Sequence, residues 1–300
     1  MSPACLLAVL VSFAFLVAAW ADEPAPRLSQ FTVELPNLQC PISLIIDDPT
    51  PIFADRLSAE DLAKRKAEGK GVDMRTFFDD LVGLFQEYGV KGKFTVNSYV
   101  SSVGMIDRLT DPNRKRQLDE FVSVVKTKLM PSFDITPEII SHGVVLNVET
   151  DQPLGVQDPE NVWSQTQDED TLERYIGRGL TALKNVGLEC NGVTSPSDFG
   201  QRNEANYVRA ISRALKRVNG VKLAWYFLQS DSADYIEPRL MLFDRRNGEV
   251  VVNIMPTSRI SDIGLSKRFE RDIAKTVDEH ITADGKGGVI PQMVASRSYL

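Results

Sequence analysis

The chain has few nucleophilic or metal-binding side chains and no basic excess. Only two histidines and three cysteines occur in 300 residues, and acidic residues outnumber basic ones 41 to 34. A formal charge of −7 provides no basic surface for nucleic acid or anionic lipid. No glycine-rich phosphate loop, Gly-x-Ser-x-Gly turn or Cys-x-x-Cys pair occurs, so nucleotide, serine-hydrolase and thiol-redox chemistry lack support. Beyond the N-terminus no apolar run approaches the ~20 residues of a membrane-spanning helix. What remains is an ordinary globular composition, 43% hydrophobic and 25% charged, enough for a full core.

The N-terminus reads as a targeting segment. Leu6 to Ala19 is almost wholly apolar, and Ala19-Trp20-Ala21 has the small-x-small pattern that signal peptidase reads. Residues 1–21 are therefore expected to be a signal peptide, which implies a secreted or periplasmic protein. No Lys or Arg precedes the apolar run, so an uncleaved anchor is the alternative. Cys5 lies in this segment. Cys40 and Cys190 each precede an expected core strand, and export permits a disulfide between them. Two buried free thiols are the other reading, and both stay open.

Residues 22–300 read as a single α/β domain in which short apolar runs alternate with helical patterns. Ile42 to Ile46 is an expected buried strand, followed by helices over 58–68 and 73–88, where Phe77, Phe78, Leu81, Leu84 and Phe85 recur at helical spacing. Lys93 to Asn97 reads as a strand, 113–129 as a helix and Glu138 to His142 as a third strand. Then come a helix over 168–186, a strand over Asn191 to Ser195, a helix over 202–217 and a strand over Val221 to Phe227. Asn247-Gly248 between two β-rich runs, 239–244 and 249–255, is a hairpin signal. A last helix is expected over 266–281, and no clear strand precedes Leu300; a helix over 290–300 is also compatible. Such alternation implies mostly parallel strands covered by helices, as an open sheet or a barrel.

Active sites in such folds gather at the carboxyl ends of the strands. Those ends carry Asp47-Asp48, Asn97-Ser98, His142, Ser195-Pro196 with Asp198, and Gln229 to Asp231. Two neighbouring carboxylates can divide labour, one holding a divalent metal and the other taking a proton from metal-bound water. A histidine from another strand adds a nitrogen ligand. Asp-Asp-Pro is equally a way to end a strand, and His142 alone could be a satisfied core histidine. Asn97, Ser195, Asp198, Trp225 and Asp231 are candidate substrate contacts; strand aromatics such as Trp225 are more often core than sugar platforms.

The strings Ser43-Leu44-Ile45-Ile46-Asp47-Asp48, Lys93-Phe94-Thr95-Val96-Asn97 and Glu138-Ile139-Ile140-Ser141-His142 resemble, in order and rough spacing, the polysaccharide deacetylases of the family 4 carbohydrate esterase type. The resemblance covers about residues 40–230. It implies a distorted (β/α) barrel, a divalent metal, often zinc, and hydrolysis of N-acetyl groups on a carbohydrate substrate. Position by position it makes Asp47 the catalytic base, with Asp48 and His142 as metal ligands. The chain departs from the family where a third histidine ligand is expected, because Leu146 stands there and only Asn147, next along, offers an oxygen. The family's Arg-Pro-Pro-x-Gly element is matched only by Thr194 to Gly200 without its arginine, and its late histidine-bearing strand is missing. The domain is then either a barrel lacking its last strand or one that closes differently. The alternatives are a non-catalytic carbohydrate-binding barrel and a barrel glycoside hydrolase using Asp47, Asp48 or Asp231.

Overall fold

Short runs rich in β-branched and aromatic residues form the strands, and amphipathic runs between them form the helices. The computed structural model describes residues 43–47, 51, 58–68, 74–228, 238–254, 258–261 and 293–296, all within one compact unit, Ile42–Leu300. In chain order come β1 (Ser43–Ile46), α1 (Ala59–Ala67), α2 (Met74–Glu87) and β2 (Lys91–Val96). The short strands β3 (Tyr99–Val100) and β4 (Gly104–Met105) lead into α3 (Pro112–Val124), which runs on through a π turn, and then β5 (Phe133–Pro137). After β6 (Leu146–Asn147), β7 (Gln152–Pro153) and α4 (Glu160–Trp163) come α5 (Glu169–Asn185), β8 (Gly192–Ser195), α6 (Glu204–Asn219) and β9 (Leu223–Leu228). The hairpin β10 (Arg239–Asp244) and β11 (Glu249–Ile254) precedes β12 (Ser258–Ser261) and β13 (Met293–Ser296).

Helix ends follow local chemistry. Asp111 caps α3 by accepting hydrogen bonds from Asn113 N and Arg114 N, with Pro112 in the first turn, where its missing N–H costs nothing. Asp168 caps α5 through Thr171 N, and α6 stops at Gly220, whose left-handed φ of 70° closes the last turn.

The strands build two sheets. One has the order β12-β13-β1-β2-β5, all parallel, and the other β10-β11-β9-β8, parallel apart from the β10 hairpin. The protein is thus a mixed α/β fold with parallel sheet strands and flanking helices. The edge strands β5 and β8 meet through Thr136 Oγ1 and Thr194 Oγ1, 2.9 Å apart. Among the described residues, the central strands β1, β2, β8 and β9 are buried on both faces. Ile46, Phe94 and Val96 pack outward against Phe78 of α2 and Phe121 of α3, whereas Ile45 joins Trp225 and Phe227 of the other sheet in a separate inner cluster. That inner space keeps a small cavity of about 130 Å³ lined by Ile45, Gly92, Lys93, Asp134, Trp225, Phe227 and Ile254. Gly92 is required where β2 meets β1, since a Cβ there would stand 1.9 Å from Leu44 O.

Two expectations are corrected. The third strand ends at Pro137 and does not occupy 138–142; Pro137 has no N–H to extend the ladder, and Glu138 to His142 form a turn. A late strand does exist: β13 lies parallel between β12 and β1, so residues 293–296 are not helical. The helix expected over 266–281, like residues 1–42, lies outside the described residues. Among those described, no helix is long and apolar enough to cross a membrane.

Candidate functional site

Asp47 follows β1 on the same face as Ile45, the inner one, and is 6% exposed. A buried carboxylate needs a counter-charge, and Lys93 of β2 provides it, donating from Nζ to Asp47 Oδ1 at 2.7 Å. Lys93 is itself buried, and its ammonium lies 4.5 Å from the centroid of the Phe227 ring. One ammonium therefore joins the carboxylate of the first sheet to an aromatic face of the second.

A second acid–base couple follows β5. Glu138 is 1% exposed, and its Oε2 accepts a hydrogen bond from Thr95 Oγ1 at 3.0 Å. Its Oε1 lies 3.6 Å from His142 Nε2, and the histidine side chain is 37% exposed, open to solvent where its partner is not. The turn between them carries two residues in the left-handed region, Ile139 (φ 43°) and His142 (φ 61°). After β8 a second pair does the same, Ser197 (φ 47°) and Asp198 (φ 64°). Such backbone costs about 1–3 kcal/mol per residue and gathers at functional sites. Both strained turns sit at carboxyl ends of parallel strands.

The remaining expected site residues divide. Asn97, just past β2, holds its Oδ1 buried with no hydrogen-bond partner among the described residues. Asp198 lies in the strained turn, and its backbone carbonyl accepts from Gln165 Nε2 at 3.0 Å. Trp225 is on the inner face, but its Nε1 donates to Asn191 Oδ1 at 2.9 Å and its ring packs with Ile45 and Phe227. Ser195 points the other way, its hydroxyl bonded to Tyr207 in the helix-side core at 2.7 Å. Asp48 and Asp231 lie outside the described residues. Cys190 is a buried free cysteine whose burial pushes its thiol well above the ordinary range, and Cys40 is outside the described residues.

Asn147 does not present a spare oxygen. Its Oδ1 accepts from Glu149 N at 2.9 Å and Thr150 N at 3.2 Å, closing the β6–β7 turn. Of the expected metal ligands, His142 alone offers a donor among the described residues, and Asp47 is already balanced by a fixed ammonium. Among the described residues these side chains do not by themselves complete a metal-ligand set, and Asp48 lies outside them.

The residues not anticipated as site members are Lys93, Thr95, Glu138 and Glu160. Glu160, on α4 and fully buried, accepts at Oε1 from Tyr175 Oη (2.7 Å), Ile140 N (3.2 Å) and Ser141 N (3.3 Å). Burial pushes its carboxyl up to about 7, against hydrogen bonds from Tyr175, Ser141 and Ile140 and the nearby His142. Only Glu138 had a visible signal, its spacing four residues before the histidine. What the arrangement can do is acid–base chemistry at one sheet end, with a carboxylate held by a cation and an imidazole held by a carboxylate. No protein-family model and no curated protein matches the chain.

Proposed function

We propose that the chain is an exported hydrolase of the polysaccharide deacetylase type that cleaves the C–N bond of an N-acylated carbohydrate. The observation that carries the reading is the convergence of Asp47–Lys93 and Glu138–His142 on the strand ends of one parallel sheet, joined through β2. The apolar N-terminal segment supports export. Parallel strands succeeding one another in sequence order, with β5 and β8 in contact, support a distorted (β/α) barrel. In this reading Asp47 takes a proton from water as its oxygen attacks the acyl carbon. His142 delivers a proton to the nitrogen as the C–N bond breaks, leaving a free carboxylic acid and an amine. Lys93 holds and aims Asp47, Glu138 orients the imidazole, and Asn97 and Asp198 contact the sugar at the rim. If a divalent metal contributes, Asp48 and His142 are its ligands.

The ion pair itself favours a second reading. A carboxylate paired with Lys93 suits a barrel that binds carbohydrate without catalysis. Acetylated chito-oligosaccharides separate the two, with calorimetry for binding and acetate release for turnover, each run with and without zinc. Binding with release that is lost in Asp47→Asn and His142→Ala supports hydrolysis; binding alone supports the second reading. Neither binding nor release contradicts both.

A further inference from the structure

We propose that Glu160 is a positioning residue that fixes, from inside the protein, the turn presenting His142. The proposal rests on the reading above for what His142 does, but not for how it is held. The turn is strained at both ends: Ile139 is a β-branched residue at φ 43°, and His142 follows at φ 61°. Such backbone persists only where its surroundings over-determine it.

Glu160 supplies three of the hydrogen bonds that hold the turn, beside those of the Ser141 hydroxyl to Gly143 N and Val144 O. Its own N–H donates to Gly143 O at 2.7 Å, while its Oε1 collects Ile140 N and Ser141 N. One side chain and its backbone thus grip three of the five residues from Ile139 to Gly143. Tyr175 holds the grip in turn, donating to Oε1 at 2.7 Å and accepting from Leu146 N at 3.2 Å. From the opposite side Tyr99 N donates to Ile140 O at 2.9 Å. Gly179 of α5 lies so close that a Cβ there would stand 2.3 Å from Ile139 O.

A carboxylate is an expensive way to fill this space. Glu160 is 1% exposed, no cation pairs with it directly among the described residues, and its Oε2 has no hydrogen-bond partner among them. An apolar side chain would cost less to bury but would leave two turn N–H groups unmet. Presenting an imidazole at the sheet end is what the carboxylate adds.

The test uses the full chain labelled with ring-13C histidine. The sequence has two histidines, so two ring signals are expected and His142→Ala assigns them. Glu160→Gln keeps the acceptor oxygen and should leave the His142 signal and kcat near wild type. Glu160→Ala should shift or broaden the His142 signal while that of the second histidine of the sequence, His280, stays put. It should also lower kcat by ~10- to 100-fold with KM little changed, the usual consequence of losing a group that orients a functional histidine. Gly179→Ala, which pushes the turn from the other side, should move the same signal. A folded Glu160→Ala with an unmoved His142 signal overturns the proposal, as does an unmoved signal in Gly179→Ala should Glu160→Ala not fold. The ring signal needs no substrate, so a chain without deacylase activity still decides the matter.

Discussion

At Asp47 and Lys93 two charges are taken out of water together, and their worth lies in the pairing. Removing one partner strands the other: Lys93→Met should cost about 3–5 kcal/mol in urea unfolding. Replacing both, as in Asp47→Leu with Lys93→Met, should recover most of that loss, because the desolvation cost vanishes with the charges. Equal destabilisation by the single and double variants would show that the pair is not a closed electrostatic unit. Glu160 makes a different prediction. Its folded-state carboxyl is raised from 4.5 to about 7, so below 4.5 both folded and unfolded chains hold the proton and nothing is lost. Between 4.5 and about 7 the unfolded chain ionises first, and stability falls as pH rises, by on the order of 3 kcal/mol in full. The stability of wild type relative to Glu160→Gln should therefore decline across that window and level off above it. A pH-independent difference contradicts this account. Of these residues Asp47 and His142 were legible in the sequence, because a strand end and a rare residue type mark them. Lys93 was not: nothing within Lys93-Phe94-Thr95-Val96 marks it as buried, and its burial depends on a partner 46 residues away. Strand alternation turns Thr194 inward and Ser195 toward Tyr207, a choice between faces that the sequence does not mark.

Elements with their own punctuation were readable. The hairpin around Asn247-Gly248, the helix capped by Asp168 and the helix closed by Gly220 all fall within a few residues of expectation. The third strand was not, because Ile139-Ile140 looked like its apolar centre; the prolyl ring at 137 ends the ladder, and the two isoleucines bury themselves in a turn. β13 was missed for another reason. Met293 to Ser296 is too short to carry a period, and it is a strand because β1 and β12 flank it in register. Register also explains Gly92. Any side chain there meets the Leu44 carbonyl, so Gly92→Ala should lower the thermal midpoint by several degrees, the effect of about 1–3 kcal/mol of overpacking. An unchanged midpoint would mean that β1 and β2 approach less closely than described.

Over the whole molecule, strand–helix alternation identified the mixed α/β class and the carboxyl ends as the place to look. It did not reveal that two sheets enclose an inner face shared by an ion pair and an aromatic cluster, since that depends on which long-range strands become neighbours. The functional account belongs to this scale, because Asp47 comes from the end of β1 and Glu138 and His142 from the end of β5, and they act together only if the sheet brings them to one substrate. The most direct measurement is acetate release from acetylated chito-oligosaccharides by the wild-type chain beside Asp47→Asn at matched folded concentration. The account predicts release by the wild type and, with the base removed, a rate lower by ~100-fold or more. Release by Asp47→Asn at the wild-type rate would contradict it, as would a wild-type chain that binds the oligosaccharide and releases nothing.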